Sequence, residues 1–304
     1  MPYIHTPRQI LPTSDLAFKK ILASEDHKAV TQGFIKDFFG VLVEVDDIHI
    51  VNPYSIHAYQ EAAGDGGTYQ VLRETLRDTT FDLRVADMTV EMQLNNLDAF
   101  LYRGFLYMGD LFRQGYDKVG YQRAGDRYGG LRPVWRVDIV GGTLVPDGEP
   151  FRMLEPWDRL REVGLTTEVF RWAILELGKA GAPPELARWR DFLLTGAVAA
   201  DDPAYLREAA SIIDHANMSQ EERDMISIEE KAEADYQSDL YYAEKRGRGE
   251  GREQGIQQGA FDAKLDDARA ALQLHLTHDQ VMAITGLDAG TVDRLADELG
   301  LTVA

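Results

Sequence analysis

An alternating stretch over residues 81–94, FDLRVADMTVEMQL, constrains the fold of this 304-residue chain more than any other feature. Apolar side chains occupy every second position on both sides of a short break, and mostly polar side chains lie between them. A period of two is typical of a strand with one buried face, so the stretch predicts a β-hairpin. Its polar face would carry Asp82, Arg84, Glu91 and Gln93.

The register of this hairpin follows from where its turn lies. If Ala86 and Asp87 form the turn, Asp82 lies directly opposite Glu91 and the apolar pairs all fall on one face. A slip of one residue would mix the two faces, which supports this register. Ala-Asp is not a preferred two-residue turn, so a longer loop remains an alternative.

Two carboxylates placed opposite each other would have Cβ atoms about 5 Å apart and would repel. A divalent cation held by Asp82 and Glu91 would offset that repulsion, since Mg²⁺ prefers oxygen ligands. The alternative is a pair of solvated carboxylates relieved by Arg84. The chain has no cysteine, and its histidines form no HExxH pattern, so a catalytic metal here would have oxygen ligands.

The elements around the hairpin indicate an α/β region. Polar residues at 13–15 predict the start of a first helix, and a second helical pattern ends at Gly40. The remaining predictions are a strand at 47–51, a glycine-rich loop at 61–69, an aromatic-rich helix at 98–114 and a strand at 133–141. Beyond residue 150 the chain is predicted to be helical over 167–179, 183–195, 203–216 and 219–245.

The net charge of −19 argues at first against a nucleic-acid partner, but it is unevenly distributed. Residues 151–304 carry 30 acidic and 17 basic side chains, a net of −13, whereas residues 100–136 carry seven basic against three acidic. The composition of the whole chain therefore does not exclude DNA binding by the first half.

The order of these motifs resembles the Rpn family of recombination-promoting nucleases, which are PD-(D/E)XK transposase-like proteins. The resemblance is carried by the Asp15–Lys20 opening, Asp82, the Glu91-x-Gln93 motif, the Tyr102, Arg103 and Tyr107 helix, the 133–140 strand and the ITGL tail at 284–287. It implies a restriction-endonuclease-like mixed sheet flanked by helices, followed by an all-helical C-terminal region. It also implies metal-dependent hydrolysis of DNA phosphodiester bonds, linked to DNA recombination.

The resemblance assigns roles to individual residues. Asp82 and Glu91 would hold Mg²⁺, or Mn²⁺ or Ca²⁺ in its place, and Gln93 stands where many members of the superfamily have lysine. Because an amide adds no positive charge, Lys19 and Arg103 become the candidates for binding the substrate. Asp15 would either complete the acidic cluster or cap the first helix.

A turn-rich stretch at 141–150 and the acidic helical pattern after it divide the chain into a nuclease-like domain at 1–150, an acidic helical region at 151–245 and a C-terminal segment at 246–304. In the last segment, glycines at 247, 251, 255 and 259 would form a stripe on a helix suited to self-association, or else a flexible linker. The acidic final helices argue against a helix-turn-helix that reads a DNA groove.

No apolar run reaches about 18 residues and the N-terminus has no signal-peptide pattern, so we expect a cytoplasmic protein without a membrane partner. The leading hypothesis is a metal-dependent DNA endonuclease that forms a homo-oligomer through its C-terminal helices. The alternative is a catalytically silent, helical self-association or regulatory protein, which the acidic stretch 201–244 and the glycine stripe would also suit.

Overall fold

The computed structural model describes residues 10–56, 79–94, 99–119, 128–160, 163–164 and 169–301. The chain divides into two compact units, Met1–Glu233 and Ala234–Ala304. Across the described ranges, no helix is both long and apolar enough to cross a lipid bilayer. The loop predicted at 61–69 lies outside the described residues.

The first unit contains a mixed β-sheet, which confirms the predicted fold class. Its strands are β1 (Ile48–Ile50), β2 (Thr79–Leu83), β3 (Asp87–Gln93), β4 (Val134–Val140), β5 (Phe151–Leu154) and β8 (Phe170–Glu176). Within the described residues they are ordered β1-β2-β3-β4-β8-β5, and β3, β4 and β8 are parallel neighbours. Two short strands, β6 (Trp157–Asp158) and β7 (Val163–Gly164), form a separate ribbon.

Eight α-helices are described, and the early ones lie where the sequence predicts them. They are α1 (Asp15–Ala23), α2 (Lys28–Phe39), α3 (Phe100–Val119), α4 (Pro184–Thr195), α5 (Ala204–Ile212), α6 (Gln220–Gln273), α7 (His278–Thr285) and α8 (Ala289–Glu298). Ser14 caps α1, because its hydroxyl accepts from the N–H of Ala17 at 3.2 Å. Gly40 ends α2 with a φ of +68°, a conformation that favours glycine.

Two apolar clusters lie on opposite faces of the sheet. Val90 and Val137 face the larger cluster, which contains apolar side chains of α1, α2, α4 and α5. Ile174 faces the smaller cluster, together with Met108 of α3. Since side chains alternate along a strand, the polar side chains of β3 lie on the face that α3 covers.

The helix predicted at 167–179 is wrong, because Phe170–Glu176 is strand β8. A buried parallel strand is apolar on both faces, and such a run cannot be distinguished from a buried helix by its periodicity. β5 and β8 both lie beyond residue 150 and belong to the same sheet. The sheet therefore continues past the domain boundary predicted at residue 150.

The β2–β3 hairpin has a different register from the predicted one. Asp82 pairs with Asp87, so the prediction that Asp82 lies opposite Glu91 is wrong. Because the shift is an even number of residues, each side chain keeps its predicted face. Glu91 and Gln93 still share a face with Asp82, but Glu91 lies about 13 Å farther along β3 than Asp87.

The turn that sets this register comes two residues earlier than predicted. The N–H of Leu83 donates to the C=O of Ala86 at 2.9 Å, which leaves the two residues between them as the turn. The N–H of Asp87 donates to the C=O of Pro133, also at 2.9 Å, so pairing with β4 begins there. A neighbour far along the sequence therefore decides where β3 starts.

In the second unit, α6 continues as a helix through all four glycines of the predicted stripe. A Cβ added at Gly247, Gly251, Gly255 or Gly259 would meet no atom within 4 Å in the described part of the chain. The stripe is therefore helical and open on its surface. Self-association through it stays a prediction.

The ITGL tail forms a helical hairpin of α7 and α8. Thr277 caps α7 with a capping box, and Gly286 ends it with a φ of +66°. Val281 of α7 and Leu295 of α8 pack with Leu272 of α6 in a core of their own. The second unit thus has its own small apolar core.

Glu222, in the first turn of α6, accepts hydrogen bonds from two other parts of the first unit. Its carboxylate accepts from Lys20 Nζ at 2.8 Å, from the Tyr54 hydroxyl at 2.7 Å and from the N–H of Ser219 at 2.9 Å. Burial acts to raise the pKa of Glu222, but the bonds from Lys20, Tyr54 and Ser219 hold it below its ordinary value. The ionised carboxylate therefore stabilises the fold.

Replacing Glu222 with glutamine is expected to lower the free energy of unfolding by about 1–3 kcal/mol near neutral pH, because Lys20 loses its partner in a nearly buried position. A carboxyl group with a lowered folded-state pKa stabilises the fold above its unfolded pKa, and that stability is lost as the pH falls through the folded-state value. The variant should therefore approach wild-type stability in acid. Urea unfolding of both proteins from about pH 7 to about pH 3 measures this, with the exposed Asp224→Asn as control. A loss that does not change with pH would contradict the prediction.

Candidate active site

Four charged side chains meet on the face of the sheet that α3 covers. Parallel pairing of β3 with β4 sets Glu91 beside Asp138 and Thr89 beside Arg136, and Arg103 reaches them from α3. Glu91, Arg136 and Asp138 are 3%, 1% and 0% exposed. Buried charges are costly unless they are paired, so their mutual contacts determine what this site can do.

Arg136 bridges the two buried carboxylates. Its Nε donates to Asp138 Oδ2 at 2.7 Å, and its Nη2 donates to Asp138 Oδ1 at 2.8 Å and to Glu91 Oε2. The guanidinium carbon lies 5.5 Å from the ring centroid of Tyr107 and 5.8 Å from that of Trp172. Arg136 Nη1 has no acceptor among the described residues. The guanidinium is thus fixed by ion pairs with two carboxylates and by packing against two aromatic rings.

Asp138 and Arg136 have shifted pKa values. Burial raises the pKa of Asp138 to about 6, although the Arg136 charge and a hydrogen bond from Trp172 Nε1 oppose the rise. Burial acts to lower the pKa of Arg136, but Asp138 and Glu91 together raise it above its ordinary value. Arg136 therefore stays charged, and it is a permanent cation beside Glu91.

Arg103 contacts the other oxygen of Glu91. Its Nη2 donates to Glu91 Oε1 at 3.1 Å and to Gln93 Oε1 at 2.8 Å. The Arg103 side chain is 32% exposed, so it can exchange with solvent more readily than Arg136 can. The structure thus brings together three of the predicted site residues, and two of them offer oxygen atoms to one cation.

Asp82 belongs to a different cluster. Arg132 Nη1 donates to Asp82 Oδ1 and to the C=O of Leu83, both at 2.6 Å, and Arg132 Nη2 donates to Asp87 Oδ1. A cross-strand pair of carboxylates is therefore present, but the pair is Asp82 and Asp87, and its compensating cation is Arg132. Arg84, which the alternative interpretation placed beside Asp82 and Glu91, is mostly exposed and lies 3.6 Å from Asp47.

Asp15 and Lys19 lie on α1, whose apolar residues face the opposite side of the sheet from α3. Asp15 is the first residue of the helix, and the capping side chain is that of Ser14. Lys19 is 5% exposed. Both residues have interaction partners, and their roles in a site remain predictions.

The tyrosines of α3 have unequal surroundings. Tyr102 is 82% exposed, so it does not pack in the core. Tyr107 is 39% exposed, and its ring covers the Arg136 guanidinium. Arg113 pairs with Asp110 and Asp117 along the helix surface, as a solvated helix face would.

Sequence reasoning missed Arg136 and Asp138. Both lie in the strand predicted at 133–141, where they alternate with Trp135, Val137 and Ile139. Opposite charges two residues apart in an otherwise apolar strand would lie on one face and would need partners there. That pattern was available in the sequence, but it does not say that the partner is Glu91.

The donor atoms at Glu91 are compatible with a hard metal ion. Glu91 Oε1 and Gln93 Oε1 already converge on a cationic nitrogen, and Mg²⁺ often takes only one or two carboxylates and completes its shell with water and phosphate oxygens. Over the described ranges, no group of three or more histidine, cysteine, aspartate or glutamate side chains lies close enough to hold a metal ion. Two protein oxygens are thus the donor set that the described residues supply.

A family model described as "PD-(D/E)XK nuclease family transposase" matches residues 12–243. The match covers α1, the whole sheet, α3 and the first part of α6, and it ends before the glycine stripe. It therefore includes all of the predicted site residues. No curated protein matches the chain, and no solved structure does.

Proposed function

The chain belongs to the PD-(D/E)XK nuclease family transposases, and from this membership we propose that it is a metal-dependent DNA endonuclease with Glu91 at its centre. One observation carries the proposal: Glu91 Oε1 and Gln93 Oε1 converge on the Nη2 atom of Arg103. Oxygen atoms are the ligands that Mg²⁺ prefers, so these two oxygens are the candidate donors. The proposed reaction is hydrolysis of phosphodiester bonds in DNA.

Glu91 and Gln93 would hold Mg²⁺, with Mn²⁺ or Ca²⁺ able to take the same oxygen ligands. When bound, the ion would polarise the phosphodiester and lower the pKa of an attacking water. Glu91 contributes the negative charge of the site. Gln93 contributes an oxygen ligand and orientation without changing the charge.

Arg103 is the proposed substrate-binding residue. Its guanidinium occupies the position between Glu91 and Gln93, so a metal ion arriving there would release it. Arg103 Nε has no acceptor among the described residues, and a guanidinium binds phosphate oxygens through paired N–H donors. We therefore propose that Arg103 moves from Glu91 to a phosphate group of the DNA.

The roles of Asp82, Asp15 and Lys19 stay predictions. Asp82 does not lie opposite Glu91, and it is paired with Arg132. Strand β2 is described from Thr79 onward, and the residue before it in the sequence is Asp78. Because Asp78 lies outside the described residues, the two aspartates have to be tested separately.

The family description supports a transposase-like role, and we extend the proposal to cleavage linked to DNA recombination. A homo-oligomer formed through the C-terminal helices would place two active sites on one DNA molecule. The open glycine stripe of α6 supports this, since small residues let two helices approach closely.

A catalytically silent protein is the second candidate function. One observation favours it: both oxygens of Glu91 already accept hydrogen bonds from arginines, so the carboxylate is neutralised without a metal. In that case the ionic cluster would only stabilise the sheet. Measuring metal binding and cleavage together distinguishes the two functions.

The full-length protein is expected to nick supercoiled plasmid DNA in Mg²⁺ and to lose that activity in EDTA. The reason is that the proposed site provides no other Lewis acid for the phosphodiester. Agarose-gel conversion of supercoiled to open-circular plasmid measures the rate, and calorimetric titration with Mn²⁺ measures binding. A folded protein that neither binds Mn²⁺ nor cuts the plasmid would favour the silent protein.

The same assay decides which aspartate is needed. Asp82→Asn and Asp78→Asn are compared with wild type at equal protein and Mg²⁺ concentrations. Equal cleavage by wild type and Asp82→Asn would remove Asp82 from the site. Loss of cleavage in Asp82→Asn alone, with an unchanged melting temperature, would restore it as a ligand.

A further inference from the structure

Arg136 is nearly inaccessible to solvent, and its guanidinium donates a hydrogen bond to Glu91. It is 1% exposed, it donates to two carboxylates, and two aromatic rings cover it. The family name specifies lysine at the end of its motif, but this chain has the neutral Gln93 there. The fixed positive charge nearest to Glu91 thus comes from β4.

We propose that Arg136 is a positioning residue that holds Glu91 in its working orientation and supplies the positive charge that Gln93 lacks. The proposal rests on the proposed function, because it concerns the same site. Arg136 lies on the neighbouring strand β4, outside the Glu91-x-Gln93 motif.

The two oxygens of Glu91 have different partners. Arg136 Nη2 binds Oε2, which leaves Oε1 directed toward Gln93 Oε1 and Arg103. With Oε2 bound to Arg136 and the side chain anchored on β3, rotation of the carboxylate is restricted, so Oε1 stays on the side of Gln93 and Arg103. Arg136 therefore determines which atom of Glu91 is available to a cation.

The two arginines at Glu91 differ in how firmly they are held. Arg136 has two hydrogen bonds to Asp138 that fix it independently of Glu91, at 2.7 and 2.8 Å. Arg103 is 32% exposed, and its described hydrogen bonds are those to Glu91 and Gln93. When Arg103 is displaced, Arg136 remains and is the charge that persists at the site.

Removing the Arg136 charge has two opposite consequences. Glu91 and Asp138 are neighbours on adjacent strands, about 5 Å apart, and without Arg136 they form an uncompensated negative pair. Such a pair attracts a divalent cation more strongly. Glu91 also loses the bond that orients it, so a bound ion would be poorly placed for cleavage.

The experiment uses full-length Arg136→Gln and Arg136→Lys. Calorimetric titration with Mn²⁺ in the absence of DNA gives metal affinity, and plasmid nicking at saturating Mg²⁺ gives the rate. For Arg136→Gln we expect Mn²⁺ binding to be about fivefold tighter and cleavage to be about 100-fold slower. Arg136→Lys keeps the charge but not the two-sided contact, so it should bind Mn²⁺ like wild type and cut about tenfold slower. Arg152→Gln, which removes an arginine paired with Asp147 and Glu176, is the matched control.

Opposite changes in affinity and rate identify a positioning role, because a purely structural role would weaken both together with the melting temperature. Wild-type cleavage by Arg136→Gln would overturn the inference and leave the proposed function intact. If wild type does not cut DNA, the proposed function fails, and weaker or unchanged Mn²⁺ binding by Arg136→Gln would then overturn the inference separately. If Arg136→Gln does not fold, wild-type cleavage by Arg136→Lys would overturn it.

Discussion

Replacing Glu91 with glutamine is expected to reduce the rate of plasmid cleavage at least about a thousandfold, the largest effect predicted for any single substitution in this chain. Glutamine has nearly the same shape, but it removes the negative charge that attracts the metal ion. The oxygen donors left at the site would then be two amide carbonyls, at positions 91 and 93, and both are neutral. The loss is expected at all Mg²⁺ concentrations that leave the DNA soluble.

The fold is expected to survive this substitution. Arg136 keeps both of its hydrogen bonds to Asp138, so no buried charge is left without a partner. The melting temperature of Glu91→Gln, measured by circular dichroism, should stay close to that of wild type. Glu222→Gln is the matched control, since it removes a nearly buried, ion-paired glutamate elsewhere and should keep cleavage. Cleavage by Glu91→Gln at the wild-type rate would exclude Glu91 from the reaction.

Replacing Gly104 with alanine is expected to destabilise the protein by about 1–3 kcal/mol, although alanine is the better helix former. A Cβ at Gly104 would lie 2.2 Å from the indole ring of Trp172, which no real contact allows. Trp172 is 1% exposed, and its Nε1 donates to Asp138. The clash can therefore be relieved in two ways. Either the Trp172 ring moves and loses its hydrogen bond to Asp138, or α3 moves away from the sheet.

Gly109 on the same helix provides the control, because a Cβ added there would meet no atom within 4 Å among the described residues. Gly109→Ala should raise the free energy of unfolding by up to about 1 kcal/mol through helix propensity alone. Urea unfolding measures both variants. Shifts of the same sign in the two would show that the contact with Trp172 does not limit the packing of α3.

The hairpin illustrates how far local pattern carries a prediction. The alternation in residues 81–94 correctly predicted two strands and assigned Asp82, Glu91 and Gln93 to one face. It did not determine that Asp82 faces Asp87, because any even shift preserves the same faces. Pairing with β4 at Pro133 decides between those registers, and no local pattern encodes it.

The strand at Phe170–Glu176 and the ionic cluster beneath α3 could not be predicted from the sequence for the same reason, since both depend on strand pairing. A short apolar run fits a helix or a buried strand until its neighbours are known. Likewise, charges at Arg136 and Asp138 mark a strand face that needs partners, but the identity of those partners depends on which strand lies alongside.

Sequence patterns were enough to predict the family, the mixed α/β class, a helix start at residues 13–15, the end of α2 at Gly40 and the face of β3 that carries Glu91 and Gln93. Each of these depends on residues close together in the chain, whose periodicity and turn chemistry are local. The pairing of Arg132 with Asp82 and Asp87, and of Arg136 and Arg103 with the two oxygens of Glu91, became known from the three-dimensional structure. Strand pairing and helix packing bring these residues together. The sequence pattern cannot predict such contacts, because an arginine can pair with any carboxylate that lies within reach in the folded chain.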